Sequence, residues 1–344
     1  MRAVVLHAPG PPDALKLEAD VADPTPGPDD AIVRVRAAAV CGRDLIDRRG
    51  GFPAMKLPTI PGHEFAGDVV RVGERAVAAG LSVGDRVVNL HRPSCRACGR
   101  CLGGQPILCE RAWQSFGHTI DGGYAELVAA HHDVLVPVPK AMTYEVAATL
   151  MCTAGVALQA LRARGRLELG QTVLVTGASG GVGSMGVQIA RAMGARVIAT
   201  TTSEGKVQAL RDLGAHEVVV SPDGQFHARL QDLSDGGVDL CLELTGAATF
   251  RSALRSLRRG GRMVVIGNID TRKIDLNLGA LILYGYELYG SASCTRRDLL
   301  DVFALVERGQ LRPQIDRTLP LGEAAEAHRL LEARAVVGRI VLLP

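Results

Sequence analysis

Residues 172–194 read TVLVTGASGGVGSMGVQIARAMG, and their pattern indicates the fold of the central part of the chain. A run of β-branched residues leads into a glycine-rich turn, and an amphipathic helical pattern follows directly. Ala178 stands where a G-x-G-x-x-G motif has its first glycine, and Gly180, Gly181 and Gly183 follow. Bare glycine backbones let a pyrophosphate approach the helix N-terminus, which stabilises its negative charge. The stretch therefore predicts a dinucleotide site, and the alternative is a plain structural turn.

The same alternation of strands and helices continues on the C-terminal side of this stretch. The runs ARVIATT, EVVV, VDLCLELTG and GRMVVIG are separated by helical patterns, which is typical of a parallel sheet covered by helices on both faces. Residues 1–142 instead show short alternating strands broken by Gly and Pro, and a strand-rich tail follows residue 293. We predict an α/β protein with a doubly wound parallel-sheet domain at 143–292. A mostly antiparallel β domain is predicted at 1–142 and 293–344.

The amino-acid composition indicates which classes of binding partner are disfavoured. The 344 residues are 47% apolar, which is enough for two hydrophobic cores. A net charge of +3, only 3% aromatic residues and apolar runs shorter than a bilayer span argue against nucleic acid and membranes as partners. The opening MRAVVLHAPG reads as a strand and not as an export signal. We therefore expect a cytoplasmic protein whose eight cysteines stay reduced and can bind metal.

Four of these cysteines lie in one short loop. Cys95, Cys98, Cys101 and Cys109 follow the spacing C-x2-C-x2-C-x7-C. Four thiolates so close together can surround one tetrahedral zinc ion and leave no coordination position open, so the site is predicted to be structural. The alternative is a set of four reduced surface thiols without metal.

A second group of metal-binding residue types is scattered along the chain. Cys41 lies at the end of a strand, His63 and Glu64 lie in the stretch IPGHEFAG, and Cys152 is near the start of the helical stretch LMCTAGVALQAL. Two cysteines and one histidine are the ligand set of a catalytic zinc with an open position, and Asp44 could orient the imidazole. On spacing alone, a buried cysteine and a core histidine explain these residues better.

Several motifs together identify a family resemblance. GHEFAGDVVRVG, the four-cysteine loop, GGYAELV and VLVTGASGGVG resemble the zinc-dependent medium-chain dehydrogenase/reductases, in the order of that family and over essentially the whole chain. The resemblance implies a GroES-like catalytic domain beside the Rossmann domain, two zinc ions per chain, and a homodimer or homotetramer. It also implies that Cys41, His63, Glu64 and Cys152 form the catalytic zinc site.

The segment after the strand ARVIAT bears on the choice of cofactor. An NAD site would present Asp or Glu near this strand end, whereas this chain has Thr201, Thr202 and Ser203, followed by Lys206. Neutral donors and a cation favour NADPH, and NADH is the alternative. Lys206 could instead be a solvated helix residue without a role in cofactor binding. The residues expected to bind the cofactor are Ser179, Gly180, Gly181, Val182, Gly183, Thr201, Thr202, Ser203, Lys206, Thr245, Gly267, Asn268, Ser291 and Arg339.

The residues that follow Cys41 indicate which reaction is catalysed. Simple zinc alcohol dehydrogenases carry Ser or Thr two residues after the first cysteine ligand and a His three residues later, and this chain has Arg43 and Ile46 there. Arginine cannot act as a general base because its pKa stays above about 12. The segments CGRDLIDRRGGFPAMKLPTIPGHE and IGNIDTRKIDLNLGALIL resemble acryloyl-coenzyme A reductases.

Three functional hypotheses follow. The leading one is NADPH-dependent reduction of a short-chain 2-enoyl-CoA thioester, in which zinc or Arg43 stabilises the enolate formed when hydride reaches the β-carbon. The second is a zinc alcohol dehydrogenase or aldehyde reductase with an altered proton path, and the third is a non-catalytic nucleotide-binding protein. Arg43 as a salt-bridge residue is the alternative to its catalytic role. Candidate groups for the phosphates of coenzyme A are Arg48, Arg49, Arg296 and Arg297, and residues 113–118 could line the substrate pocket or only pack a loop.

Overall fold

The computed structural model describes residues 1–51, 54–111 and 114–344, so Trp113 lies outside the described residues. The strands are β1 Ala3–Leu6, β2 Leu15–Glu18, β3 Asp30–Val40, β4 Phe65–Val72, β5 Arg86–Asn89, β6 Leu127–His131, β7 Leu135–Pro137, β8 Thr172–Val175, β9 Arg196–Thr201, β10 Glu217–Val220, β11 Val238–Glu243, β12 Leu257–Val265, β13 Glu287–Gly290, β14 Ile315–Pro320 and β15 Arg339–Leu343. The α-helices are α1 Gly42–Arg48, α2 Glu74–Ala78, α3 Gly99–Leu102, α4 Tyr144–Leu150, α5 Val156–Gln159, α6 Gly181–Ala192, α7 Val207–Asp212, α8 His227–Leu233, α9 Ala247–Arg255, α10 Leu278–Tyr284, α11 Arg296–Glu307 and α12 Ala324–Glu332.

The chain forms two compact units. The first comprises Met1–Cys152, Ser293–Phe303 and Ile315–Pro344, and the second comprises Thr153–Ala292 and Ala304–Gln314. The first unit keeps α4 because this helix packs on β3 and β4. These units place residues 143–152 and 304–314 differently from the predicted domain bounds, which stay a prediction.

The second unit contains the predicted parallel sheet. Its six strands run in the order β10-β9-β8-β11-β12-β13, and every neighbouring pair is parallel. The order reverses between β8 and β11, so the carboxyl ends of these strands border the crevice where doubly wound folds bind ligands. The predicted doubly wound α/β architecture is confirmed.

The first unit is built on a mostly antiparallel sheet. Its strands run in the order β14-β15-β3-β4-β5-β7, with β6 also paired to β3, and only β14 and β15 are parallel neighbours. Alternating side chains of β3 and β4 enter a core with Phe65, Phe116 and Tyr124. This arrangement agrees with the predicted mostly antiparallel β domain.

One helical stretch, residues 144–164, is long and apolar enough to cross a membrane by length and composition. However, 78% of its apolar window is buried inside the protein, and the core helix of a soluble protein passes the same test. The stretch is not uniform, because π-helical turns at Met151–Gly155 and Ala160–Arg164 interrupt it. The absence of a membrane partner stays a prediction.

Candidate active site

Strand pairing brings the scattered candidate ligands together. β3 runs antiparallel to β4 with Ala38 opposite Phe65, so Cys41 at the end of β3 lies near His63 and Glu64 at the start of β4. Asn89 fixes this corner, because its side chain accepts the Phe65 N–H and donates to the His63 carbonyl, at 2.7 and 2.8 Å. The helix that begins at Tyr144 packs on the same strands and delivers Cys152.

The ligand atoms of Cys41, His63, Glu64 and Cys152 all lie within 4.8 Å of one another. The Nε2 atom of His63 is buried and has no hydrogen-bond partner among the described residues, as expected of a nitrogen that faces a cation. The Cys152 thiol donates to Cys41, and this holds the pKa of Cys41 well below its ordinary value despite burial. The donor set therefore fits a zinc ion.

Asp44 contacts the imidazole from the side opposite to Nε2. The His63 Nδ1–H donates to Asp44 Oδ1 at 2.7 Å, while Asp44 Oδ2 accepts the Cys41 N–H at 2.9 Å. Burial opposes the charge of Asp44, but His63 outweighs it and the pKa of Asp44 lies below its usual value. The contact selects the tautomer of His63 that leaves Nε2 as the ligand atom.

Arg43 projects from the first turn of α1 into a polar cluster near these ligands. Its Nε lies 3.1 Å from Asp47 Oδ2, its Nη2 donates to Ser115 Oγ at 3.2 Å, and its Nη1 contacts His91 Nε2. Burial raises the pKa of Asp47 to about 6, although the charge of Arg43 acts in the opposite direction. The contacts with Asp47, Ser115 and His91 hold the guanidinium in one orientation.

The predicted cofactor residue Arg339 lies in the first unit. It begins β15, which pairs with β3 through Ile340 and Val40, and its guanidinium forms a buried ion pair with Glu64. In the structure the Glu64 carboxylate is therefore paired with Arg339. The assignment of Arg339 to the cofactor stays a prediction.

The four-cysteine loop brings its sulfur atoms close together. The sulfurs of Cys95, Cys98, Cys101 and Cys109 lie within 4.8 Å of one another, with Cys98 Sγ 3.5 Å and Cys95 Sγ 3.9 Å from Cys101 Sγ. Tetrahedral zinc with bonds of about 2.3 Å needs sulfurs roughly 3.8 Å apart. Two backbone N–H groups, of Cys95 and Cys98, donate to sulfurs of the set at 3.3 Å and favour thiolates. The cluster fits a closed zinc site.

The predicted cofactor residues of the second unit lie at the same end of the parallel strands. They follow the carboxyl ends of β8, β9, β11, β12 and β13. Gly183 is required by packing, since a Cβ there would lie 2.5 Å from the Gly177 carbonyl oxygen, and Gly267 would similarly meet Leu244. The residues concerned are Ser179, Gly180, Gly181, Val182, Gly183, Thr201, Thr202, Ser203, Lys206, Thr245, Gly267, Asn268 and Ser291.

A third group of metal-binding residue types does not form a comparable site. Asp29, His131 and His132 offer three ligand atoms within 4.8 Å. Both carboxylate oxygens of Asp29 are bonded to Arg75, at 2.8 and 2.5 Å, and His131 Nδ1 accepts the Asp133 N–H. A cation would have to displace these partners.

The structure corrects one expectation and adds a residue, His91, that sequence reasoning missed. Arg48 cannot bind coenzyme A phosphates as expected, because it is 2% exposed and pairs with Glu332, and Arg296 donates to two backbone carbonyls. His91 carries no motif of its own, and Ser115 lies in the stretch 113–118, which was expected to line the substrate pocket or to pack a loop. They belong to the site because they contact Arg43.

Comparison with known proteins adds independent information. Residues 27–140 match the alcohol dehydrogenase GroES-like domain and residues 181–308 match the zinc-binding dehydrogenase domain. The chain is 37% identical to the acryloyl-coenzyme A reductase of Sulfurisphaera tokodaii over all of both chains. It is 34% identical to an alcohol dehydrogenase of Geobacillus stearothermophilus over 91% of each chain. The crystal structure of AibC is 43% identical, with a TM-score of 0.93 over 100% of this chain and 96% of that one.

Proposed function

The chain belongs to the zinc-containing medium-chain dehydrogenase/reductases, a family of oxidoreductases, and we propose that it uses NADPH to reduce the carbon–carbon double bond of a short-chain 2-enoyl-CoA thioester. Hydride passes from NADPH to the β-carbon, and the electron pair of the double bond moves to the thioester oxygen. A proton from solvent then reaches the α-carbon, so the products are the saturated thioester and NADP⁺. Full-length similarity to acryloyl-coenzyme A reductases supports this reaction class.

The observation that carries the proposal is Arg43. A hydroxyl at this position would relay a proton, whereas a guanidinium can only donate hydrogen bonds and positive charge. Asp47, His91 and Ser115 hold Arg43 in place, so its donors are oriented before the substrate binds. Such preorganised donors stabilise an enolate oxygen better than flexible ones do. Arg43 is therefore suited to reduction of an activated double bond and poorly suited to alcohol oxidation.

The metal and the nucleotide complete the proposed site. A zinc ion bound by Cys41, His63 and Cys152 would act as a Lewis acid toward a carbonyl oxygen, and a second would stabilise the four-cysteine loop. The segment from Thr201 to Lys206 supports NADPH, because Thr202 and Ser203 offer hydroxyl donors and Lys206 a charge for a 2′-phosphate.

The deciding measurement follows NADPH and NADH oxidation with two groups of substrates. Acryloyl-, crotonyl- and dimethylacryloyl-CoA form one group, and simple aldehydes and ketones form the other. We expect turnover of at least one thioester with NADPH preferred. No turnover of any thioester would exclude the proposed reaction.

Arg43→Ala tests the role of the guanidinium within the same assay. We expect kcat/KM for the thioester to fall by about 100-fold or more, the usual loss for one oriented donor to an oxyanion. Arg36→Ala is the matched control, since Arg36 pairs with Asp68 on the exposed side of β3. Unchanged thioester reduction in a folded Arg43→Ala protein would show that Arg43 is only a salt-bridge residue.

Reduction of aldehydes is the second candidate function. It is favoured by the clustering of Cys41, His63, Glu64 and Cys152, which matches a family zinc site, and by the relatives described as alcohol dehydrogenases. Turnover confined to carbonyl compounds would establish it. A non-catalytic role is disfavoured by membership in an oxidoreductase family.

We also propose that the protein is a cytosolic homodimer. All eight cysteines are free, and zinc thiolate sites require a compartment that keeps thiols reduced. β13 is the edge strand of the parallel sheet, and the neighbouring α10 exposes Leu278, Ile282 and Leu283. A second copy that pairs the same edge around a twofold axis would cover both features.

A further inference from the structure

A chain of buried polar side chains extends from Asp44 away from the candidate metal site. Tyr124 Oη lies 3.1 Å from Asp44 Oδ2 and 3.4 Å from His328 Nε2. On its other side, His328 Nδ1 lies 3.3 Å from Nη1 of Arg48. Tyr124 and His328 are fully buried and Arg48 nearly so. Buried polar groups of this kind are retained where their hydrogen bonds are satisfied.

The chemistry of arginine determines the direction of every hydrogen bond in this chain. A guanidinium has only donors, so His328 Nδ1 must accept from Arg48. Neutral His328 then carries its proton on Nε2 and donates to Tyr124 Oη. The Tyr124 hydroxyl in turn donates to Asp44, which also accepts from His63 Nδ1. Burial agrees with a neutral ring, since it lowers the pKa of His328 to about 4.

We propose that Tyr124, His328 and Arg48 form a one-directional hydrogen-bond chain that positions Asp44 and thereby holds His63 as a metal ligand. The three residues come from separate parts of the first unit: Tyr124 precedes β6, His328 lies on α12, and Arg48 ends α1. Glu332 closes the outer end by its ion pair with Arg48, so the positive charge of Arg48 is balanced.

The packing around Tyr124 supports a positioning role. A Cβ at Gly62, the residue before His63, would lie 2.3 Å from Cδ1 of the Tyr124 ring. The ring thus packs directly against the loop that carries His63, while its hydroxyl fixes Asp44. Partners beyond the ligands of a metal orient the ligands, and their loss commonly weakens metal binding 10–100-fold. None of the three residues is a catalytic residue.

The first test is zinc release from the purified full-length protein into excess chelator. This test rests on the proposed catalytic zinc. We expect Tyr124→Phe to release one of its two zinc ions at least about tenfold faster than wild type and the other at the wild-type rate. Tyr144→Phe is the matched control, since it also removes a tyrosine hydroxyl that donates to an aspartate, Asp68, at a different place. Equal release rates in all three proteins would overturn the positioning role.

The second test needs neither a variant nor a metal. In protein with ¹⁵N-labelled histidine at pH 7, the nitrogen shifts of His328 report which ring nitrogen carries the proton. We expect the Nε2–H tautomer. An Nδ1–H tautomer or an imidazolium would overturn the direction of the chain. Wild-type protein that binds no zinc would contradict the proposed metal, and the tautomer of His328 would still decide the hydrogen-bond direction.

Discussion

At the scale of single residues, the site depends on arginines that are held by carboxylates. Arg43 pairs with Asp47, Arg339 with Glu64, and Arg48 with Glu332. Removal of one partner of a buried pair leaves an uncompensated charge, which is more costly than loss of an exposed pair. These pairs fix guanidinium groups in single orientations, and this orientation is what the proposed chemistry of Arg43 requires.

Glu332→Gln tests such a pair through pH. Burial opposes the charge of Glu332, but Arg48 and Arg49 outweigh it and lower the pKa of Glu332 below its usual value of 4.5. A lowered carboxyl pKa contributes stability that is complete above pH 4.5 and is lost as pH falls through the lower value in the folded state. We expect the variant to lose about 1–2 kcal/mol in urea unfolding at pH 7 and less near pH 4. An equal loss at both pH values would contradict this ion-pair contribution.

At the scale of elements, irregular backbone positions the candidate metal ligands. Cys152 lies in the π-helical turn Met151–Gly155, a kind of irregularity frequent at functional sites. The four-cysteine loop contains two short helical turns, α3 and a 3₁₀ turn at Pro106–Leu108, and is anchored by Asp133, which accepts from Ser94 and pairs with Arg96. Because so little regular structure stabilises this loop, a bound zinc ion would supply much of its stability.

Cys98→Ser tests the four-cysteine loop. We expect metal analysis to show one zinc ion fewer per chain and thermal unfolding to begin roughly 5–10 °C lower, since the loop loses its closed coordination. Cys241→Ala is the control, because Cys241 is buried in β11, belongs to neither cluster and should leave the zinc content unchanged. A Cys98→Ser protein with the zinc content of wild type would show that the loop holds no metal.

At the scale of the whole molecule, the exposed apolar side chains of the second unit need explanation. Leu278, Ile282 and Leu283 are 65%, 83% and 65% exposed, and they lie together on α10. Monomeric proteins rarely leave such a patch uncovered, and an edge strand beside it is open to pairing. A symmetric dimer removes both features at once.

Ile282→Glu tests this interface. We expect a dimeric wild type and a shift of the variant toward monomer in light scattering coupled to size exclusion, because each dimer would bury two carboxylates. Val83→Glu introduces the same charge at an exposed residue of the first unit and should leave the mass unchanged. A wild-type protein that is monomeric at all concentrations would exclude the dimer.

Features whose residues are close along the chain can be predicted from the sequence alone. The glycine turn at 177–183, the strand–helix alternation and the C-x2-C-x2-C-x7-C loop can be recognised because local spacing encodes their geometry. For Cys41, His63 and Cys152, spacing alone favours buried cysteines and a core histidine, and only the family resemblance indicates a metal site.

Tertiary structure decided the contacts between residues that are far apart in the sequence. The pairing of β3 with β4 places Cys41 beside His63, and the folding of α12 onto this unit places His328 against Arg48, 280 residues away. No local pattern marks His91 or His328, because the role of a buried polar side chain depends on the partner that folding places beside it. The physical reason is that hydrogen bonds and ion pairs act over a few ångströms of space, whereas sequence motifs record only neighbours along the chain.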